Sequence, residues 1–226
     1  MSARRSNFNA RPVSYGAVGA SLATDLLRFP PRGFWVGEHS ARLGTGRERF
    51  EAARESMWQW AIHVNSGLEI LDIVAGSEGG YRGLNQRAER EDLDPNEVLF
   101  TPQGYPYVNP GATISQRFTF WRWSFDLPAR VVLLIDEENR AGYALGSLDG
   151  HPYVGEQAFV LDLRDDDSVW LTVRQLGQPA NPQLRWFGPL FHWQQVQITK
   201  RYLRALHPTA PALVETAEPS DASGES

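Results

Sequence analysis

From Ala112 to Leu176 the chain is strand after strand, joined by turns too short to carry a crossover. Thr113–Trp121 and Phe125–Asp136 read as strands, and their alternation changes parity between Phe120 and Trp121, which requires a turn or bulge there. Glu137–Asn139 turns the chain into Arg140–Leu148. Gln157–Leu163 follows, with Phe159, Leu161 and Leu163 on one face. Asp165–Asp167 turns into Val169–Leu176, where Val169, Leu171 and Val173 share a face. Parallel neighbours need a connection of about a dozen residues or more, so this run predicts an antiparallel meander.

The flanks complete the order. His39–Leu43 reads as a short strand. Thr45 and Glu48 then have capping-box spacing and predict a helix running to about His63. Its buried face carries Phe50, Ala53, Met57, Trp60, Ala61 and Val64. Leu68–Val74 is a further strand, and the polar, Gly-rich stretch 75–97 reads as a loop insertion. Pro179 and Pro182 end the sheet, and Asn181 with Pro182 has the form of a helix start, kinked or restarted at Gly188-Pro189. Pro189–Leu206 predicts a long helix with an apolar stripe through Leu190, Phe191, Ile198, Tyr202 and Leu206. Pro208 stops it. The expected fold class is α+β: a curved antiparallel sheet of six or more strands gripping a long C-terminal helix, with one shorter helix near the N-terminus. The expected organisation is a flexible N-terminus at 1–12, one domain over 13–207 and a disordered acidic tail at 208–226.

This order looks like the START-like, helix-grip superfamily. Local motifs are more specific: Tyr15–Gly19, Ala41–Gly46 with Phe50, and Gly142–Leu148 running into Gly150-His151-Pro152 and Gly155–Phe159. Val169-Trp170 and Thr199–Leu203 extend them. On these residues the chain resembles uncharacterised protein family 0548, a domain-of-unknown-function family of bacteria and plants. The likeness runs over roughly 13–207, and the 75–97 stretch is longer than usual for that family. It implies a fold and no reaction. The superfamily implies an apolar cavity between sheet and terminal helix.

Composition narrows the function classes. There is no Cys, which removes disulfides, thiolate nucleophiles and thiolate metal sites. The five His show no HxH or HExxH spacing, so no metal site and no cofactor are expected. Net charge is −5, and four of the acids lie beyond Pro208, so the body is close to neutral and offers no footprint for nucleic acid. No run approaches the roughly 20 apolar residues of a membrane span, and the N-terminus lacks the apolar block of a secretory signal. A cytoplasmic location is the expectation. Gly44-Thr45-Gly46 opens a helix as a dinucleotide fingerprint does, yet Arg49 stands at the third glycine position and no βαβ unit follows. No G-x-S-x-G elbow is present.

Two residue sets remain. Tyr143, His151 and Glu156 combine a phenol, an imidazole and a carboxylate around the Gly-His-Pro corner, the types that general acid–base chemistry needs. The plainer alternative gives Gly150 a positive φ, Pro152 a stiffening role and His151 a backbone hydrogen bond. The second set lines an apolar pocket: Trp60, Trp121, Trp123, Tyr143, Phe159 and Trp170, with His192 and Gln194 from the terminal helix. Most of these aromatics serve equally as core. Trp121 and Trp123 flank a turn, where exposure is more natural. His63, at the end of a helix, reads as a helix-end cation or a satisfied side chain. The leading expectation is a protein holding an apolar or amphipathic small molecule between sheet and terminal helix. The alternatives are a cyclase, hydrolase or lyase using Tyr143, His151 and Glu156, and an interaction module using the 75–97 stretch with Trp121 and Trp123.

Overall fold

A computed structural model describes residues 12–76, 84–87, 100–120, 122–181 and 188–207. Its strands are β1 (Trp35–Thr45), β2 (Glu69–Val74), β3 (Leu84–Arg87), β4 (Thr113–Phe120), β5 (Trp123–Asp136), β6 (Arg140–Ser147), β7 (Tyr153–Leu163) and β8 (Ser168–Pro179). Its helices are α1 (Arg47–Trp58), α2 (Ala61–Val64) and α3 (Gly188–Ala205). Seven strands form an open antiparallel sheet in the order β1-β8-β7-β6-β5-β4-β2, and β3 pairs in parallel with β5. The meander is therefore β4 through β8 as expected, and the first strand closes onto the last. The parity change falls where β4 turns back into β5, with Phe120 opposite Trp123.

Three expectations are corrected. The capping box does not form: Thr45 is the last residue of β1, paired with Ser168, and Gly46 takes the cap position at φ 93° with no side-chain cap. Pairing with β8 holds Thr45 in the sheet. The first long helix does not reach His63. It stops at Trp58, and Trp60 adopts a left-handed φ of 64° before α2 begins. The physical reason is Trp60 itself. Its side chain is fully buried and its indole Nε1–H donates to Pro106 O at 2.8 Å, which fixes the ring in the core and bends the backbone around it. Finally, the stretch read as a loop holds the strand β3. Residues 77–83 and 88–97 of that stretch, the N-terminal 1–11, the Pro182 helix start and the acidic tail lie outside the described residues.

The sheet is covered on both faces. Odd-numbered residues of β7 and β8 face the helices: Phe159, Leu161, Val169, Leu171 and Val173 pack with Phe50, Met57, Trp60 and Tyr202. Even-numbered Ala158 and Val160 join Val132, Leu133, Ile135 and Ala144 on the other face. A bulge between Val131 and Leu133 puts Val132 and Leu133 on that same second face, so β5 is buried continuously rather than alternately. The N-terminal segment covers it, through Val13, Val18 and Leu22. An antiparallel sheet buried on both faces loses the polar–apolar alternation that marks a solvated one.

α3 is held to the helix-side face by a glutamine. Gln175 Oε1 on β8 accepts from Gln195 Nε2 at 3.2 Å, Gln157 Nε2 at 3.3 Å and Thr199 Oγ1 at 3.4 Å. Tyr202, one turn further on, packs edge-on against Phe159 with ring centroids 5.2 Å apart.

Candidate functional site

Between the helix-side face and α3 lies a cavity of about 110 Å³. Its apolar wall includes Phe118, Phe125, Leu127, Leu145 and Ile198. Trp35, His151, Pro152 and Tyr153 line it as well, and His63, Gln116 and Tyr202 supply polar groups. The strand pattern explains Gln116. Ile114, Gln116 and Phe118 alternate on one face of β4, so a polar side chain is carried into the core, where it is almost fully buried.

His63 is completely buried at the end of α2. Its Nδ1 lies 3.1 Å from Gln116 Oε1, an acceptor, so Nδ1 carries the proton and donates. Burial holds the imidazole neutral and lowers its pKa to about 3. Of the two readings made from sequence, helix-end cation or satisfied semi-buried side chain, the cation is overturned: His63 is a fully buried, neutral core side chain bonded at Nδ1. Around it stand Trp60, Tyr143, Phe159 and Tyr202, with ring centroids 5.1–6.0 Å from the imidazole. His63 Nε2 and Gln116 Nε2 have no hydrogen-bond partner among the described residues. Neither residue was singled out from sequence as a ligand contact. The available signal was a glutamine in the inward register of an apolar strand.

His151 and Glu156 both border the cavity and Tyr143 does not, and the three functional groups of the acid–base set do not converge. Tyr143 is fully buried on the helix side, and burial raises its pKa well above the phenol range. Glu156 points its carboxylate to the other face. There it accepts from Tyr15 Oη at 2.6 Å, Gly19 N at 2.8 Å, Ser21 N at 3.0 Å and Ser21 Oγ. The physical reason is strand periodicity: Glu156 lies opposite Gly146 and Tyr143 lies opposite Phe159, an odd number of positions away. His151, half-buried, accepts the Tyr153 backbone N–H at Nδ1 over 3.0 Å, and burial lowers its pKa to about 4. Gly150 has φ 95°, as the plainer reading of the corner requires.

The aromatic set is dispersed too. Trp60, Tyr143 and Phe159 are fully buried in the helix-side core beside the cavity and are not part of its lining. Trp170 faces away from the helices, with the Arg164 guanidinium 4.3 Å above its ring. Trp123 is 65% exposed on the β4–β5 hairpin. His192 and Gln194 lie on the backbone of α3, but their side chains, like Trp121, are outside the described residues.

A curved antiparallel sheet closed over a C-terminal helix, with a cavity between them, defines the helix-grip class. The chain belongs to a family described as a domain of unknown function, DUF1990, whose model matches residues 14–84 and 94–205. An uncharacterised-family-0548 protein of Deinococcus radiodurans is 34% identical over 77 residues, covering 34% of this chain and 39% of the relative. One of Arabidopsis thaliana is 24% identical over 156 residues, covering 66% and 60%. The chain therefore spans about two-fifths to three-fifths of the curated relatives it matches. Among solved structures, a hypothetical protein of Helicobacter pylori is similar at TM-score 0.50 and 10% identity, over 84% of this chain and 94% of that one. An aromatase/cyclase of Streptomyces has TM-score 0.44 at 11% identity, over 76% and 91%. No helix among the described residues is long and apolar enough to cross a membrane.

Proposed function

We propose that this protein binds an apolar or amphipathic small molecule in the cavity between the sheet and α3. The observation that carries the reading is the cavity itself: apolar walls enclosing a few buried polar groups, the composition of small-molecule sites in general. Its size is comparable with the roughly 150 Å³ that accommodates a benzene ring. The volume sets the scale of the bound group at a single ring or a short chain. Native mass spectrometry of gently purified protein, together with binding of small aromatic probes, tests this. Ile198→Trp places an indole in the space and should abolish binding while keeping the fold. If wild-type protein neither retains a ligand nor takes up any apolar probe, the reading is wrong.

An interaction role for the β4–β5 hairpin is a second reading, favoured by the exposure of Trp123. Trp123→Ser would then abolish partner capture without changing ligand binding.

A further inference from the structure

We infer that His63 and Gln116 form a recognition pair for one hydroxyl group on an otherwise apolar, uncharged ligand. This rests on the small-molecule reading above and names the ligand class.

Gln116 Oε1 is used in accepting the His63 Nδ1 proton, which leaves His63 Nε2 as a bare lone pair. Gln116 keeps its two amide protons, and Nε2 has no partner among the described residues. Both side chains are more than nine-tenths buried and both line the cavity. Beside the Tyr153 and Tyr202 hydroxyls of the same lining, this hydrogen-bonded pair thus holds one unused acceptor and one unused donor, both covered, which a ligand reaches as the neighbouring side chains part. A hydroxyl answers both, giving its proton to His63 Nε2 and accepting from Gln116 Nε2. A hydrocarbon answers neither and leaves two polar groups dry.

Charge selects further. Among the described residues no Lys or Arg lines the cavity, and the carboxylate of Glu156, which borders it, is held by donors on the opposite face. A carboxylate or phosphate would be buried without a counter-charge, and it would meet the imidazole lone pair with its own. An alcohol or phenol avoids both costs.

The experiment compares phenol, toluene and benzoate, three single-ring probes of similar size, by titration monitored with ¹⁵N-histidine spectra. Toluene and phenol should both enter wild-type protein, benzoate should not, and only phenol should shift the His63 Nε2 resonance. Gln116→Leu should lower phenol affinity by about fivefold to tenfold and leave toluene binding the same or tighter. Gln116→Met serves where the leucine variant does not fold. Equal loss of phenol and toluene, an unmoved Nε2 signal with phenol bound, or benzoate binding as well as phenol would overturn the inference while the small-molecule reading stands. If neither phenol nor toluene enters, the small-molecule reading fails and the hydroxyl pair with it.

Discussion

Tyr15 and Glu156, 141 residues apart in the chain, are joined by a buried 2.6 Å hydrogen bond that fastens the N-terminal segment to the back of the sheet. The same carboxylate takes the Gly19 and Ser21 amides and the Ser21 hydroxyl. Glu156 is thus a structural anchor. Glu156→Ala should leave several buried donors without an acceptor and destabilise by about 3 kcal/mol or more, at roughly 1–3 kcal/mol for each unsatisfied group. Urea midpoints measure the loss, and hydrogen exchange should show residues 13–22 opening first. A midpoint unchanged from wild type would show that the segment is held by its apolar contacts alone.

The Gly-His-Pro corner makes a second prediction. Gly150 has φ 95°, where a Cβ costs about 1–2 kcal/mol and a β-branched side chain more. His151 contributes one half-buried hydrogen bond to the Tyr153 amide, worth roughly 0.5–1.5 kcal/mol. Gly150→Val should therefore lower the melting temperature more than His151→Ala does. The reverse order would place an undiscovered role on His151.

Stability should fall in mild acid. An unfolded histidine titrates near 6.5, while burial holds His63 neutral down to about pH 3 and His151 to about pH 4. Between those values the unfolded chain binds more protons than the folded one. The folded pKa values are depressed, so their stabilising contribution is present above about pH 6.5 and is lost as pH falls through the window. Each site approaches a slope of about 1.4 kcal/mol per pH unit. Urea denaturation at a series of pH values should show this slope reduced by about half in His151→Asn. An identical slope in wild type and variant would mean that His151 is protonated in the folded state.

Arg54 on α1 is paired with Asp136 at the end of β5, and the carboxylate is almost fully buried. Glu51 sits 3.0 Å from the same guanidinium. Arg54→Met should cost roughly 2–3 kcal/mol, because it leaves the Asp136 charge desolvated and unpaired. The double variant Arg54→Met with Asp136→Leu should recover part of that loss. Additive losses in a double-mutant cycle would show that the pair is not coupled.

Local chemistry was enough for the architecture. Short turns between Asp136 and Arg140 and between Leu163 and Ser168 dictate antiparallel neighbours, and Pro208 with the apolar spacing from Pro189 dictates a terminal helix. These features depend on residues close in sequence, which is why they were legible. Faces were legible where alternation was clean, as for Phe159, Leu161 and Leu163, and β5 offers no such alternation because the N-terminal segment buries its second face.

Tertiary structure alone decided the site. Tyr143, His151 and Glu156 are close in sequence, yet strand periodicity and the Tyr15–Ser21 anchor send Glu156 to the face opposite Tyr143. His63 and Gln116, 53 residues apart, meet because α2 lies over the β4 end of the sheet. Trp60 breaks a helix whose local spacing favours continuation, because burying an indole outweighs one left-handed residue. Sequence by itself sets which elements form and in what order, since backbone hydrogen bonding and apolar period are local. Which side chains share a cavity depends on sheet register, bulges and what covers each face, and those are fixed only when distant segments pack.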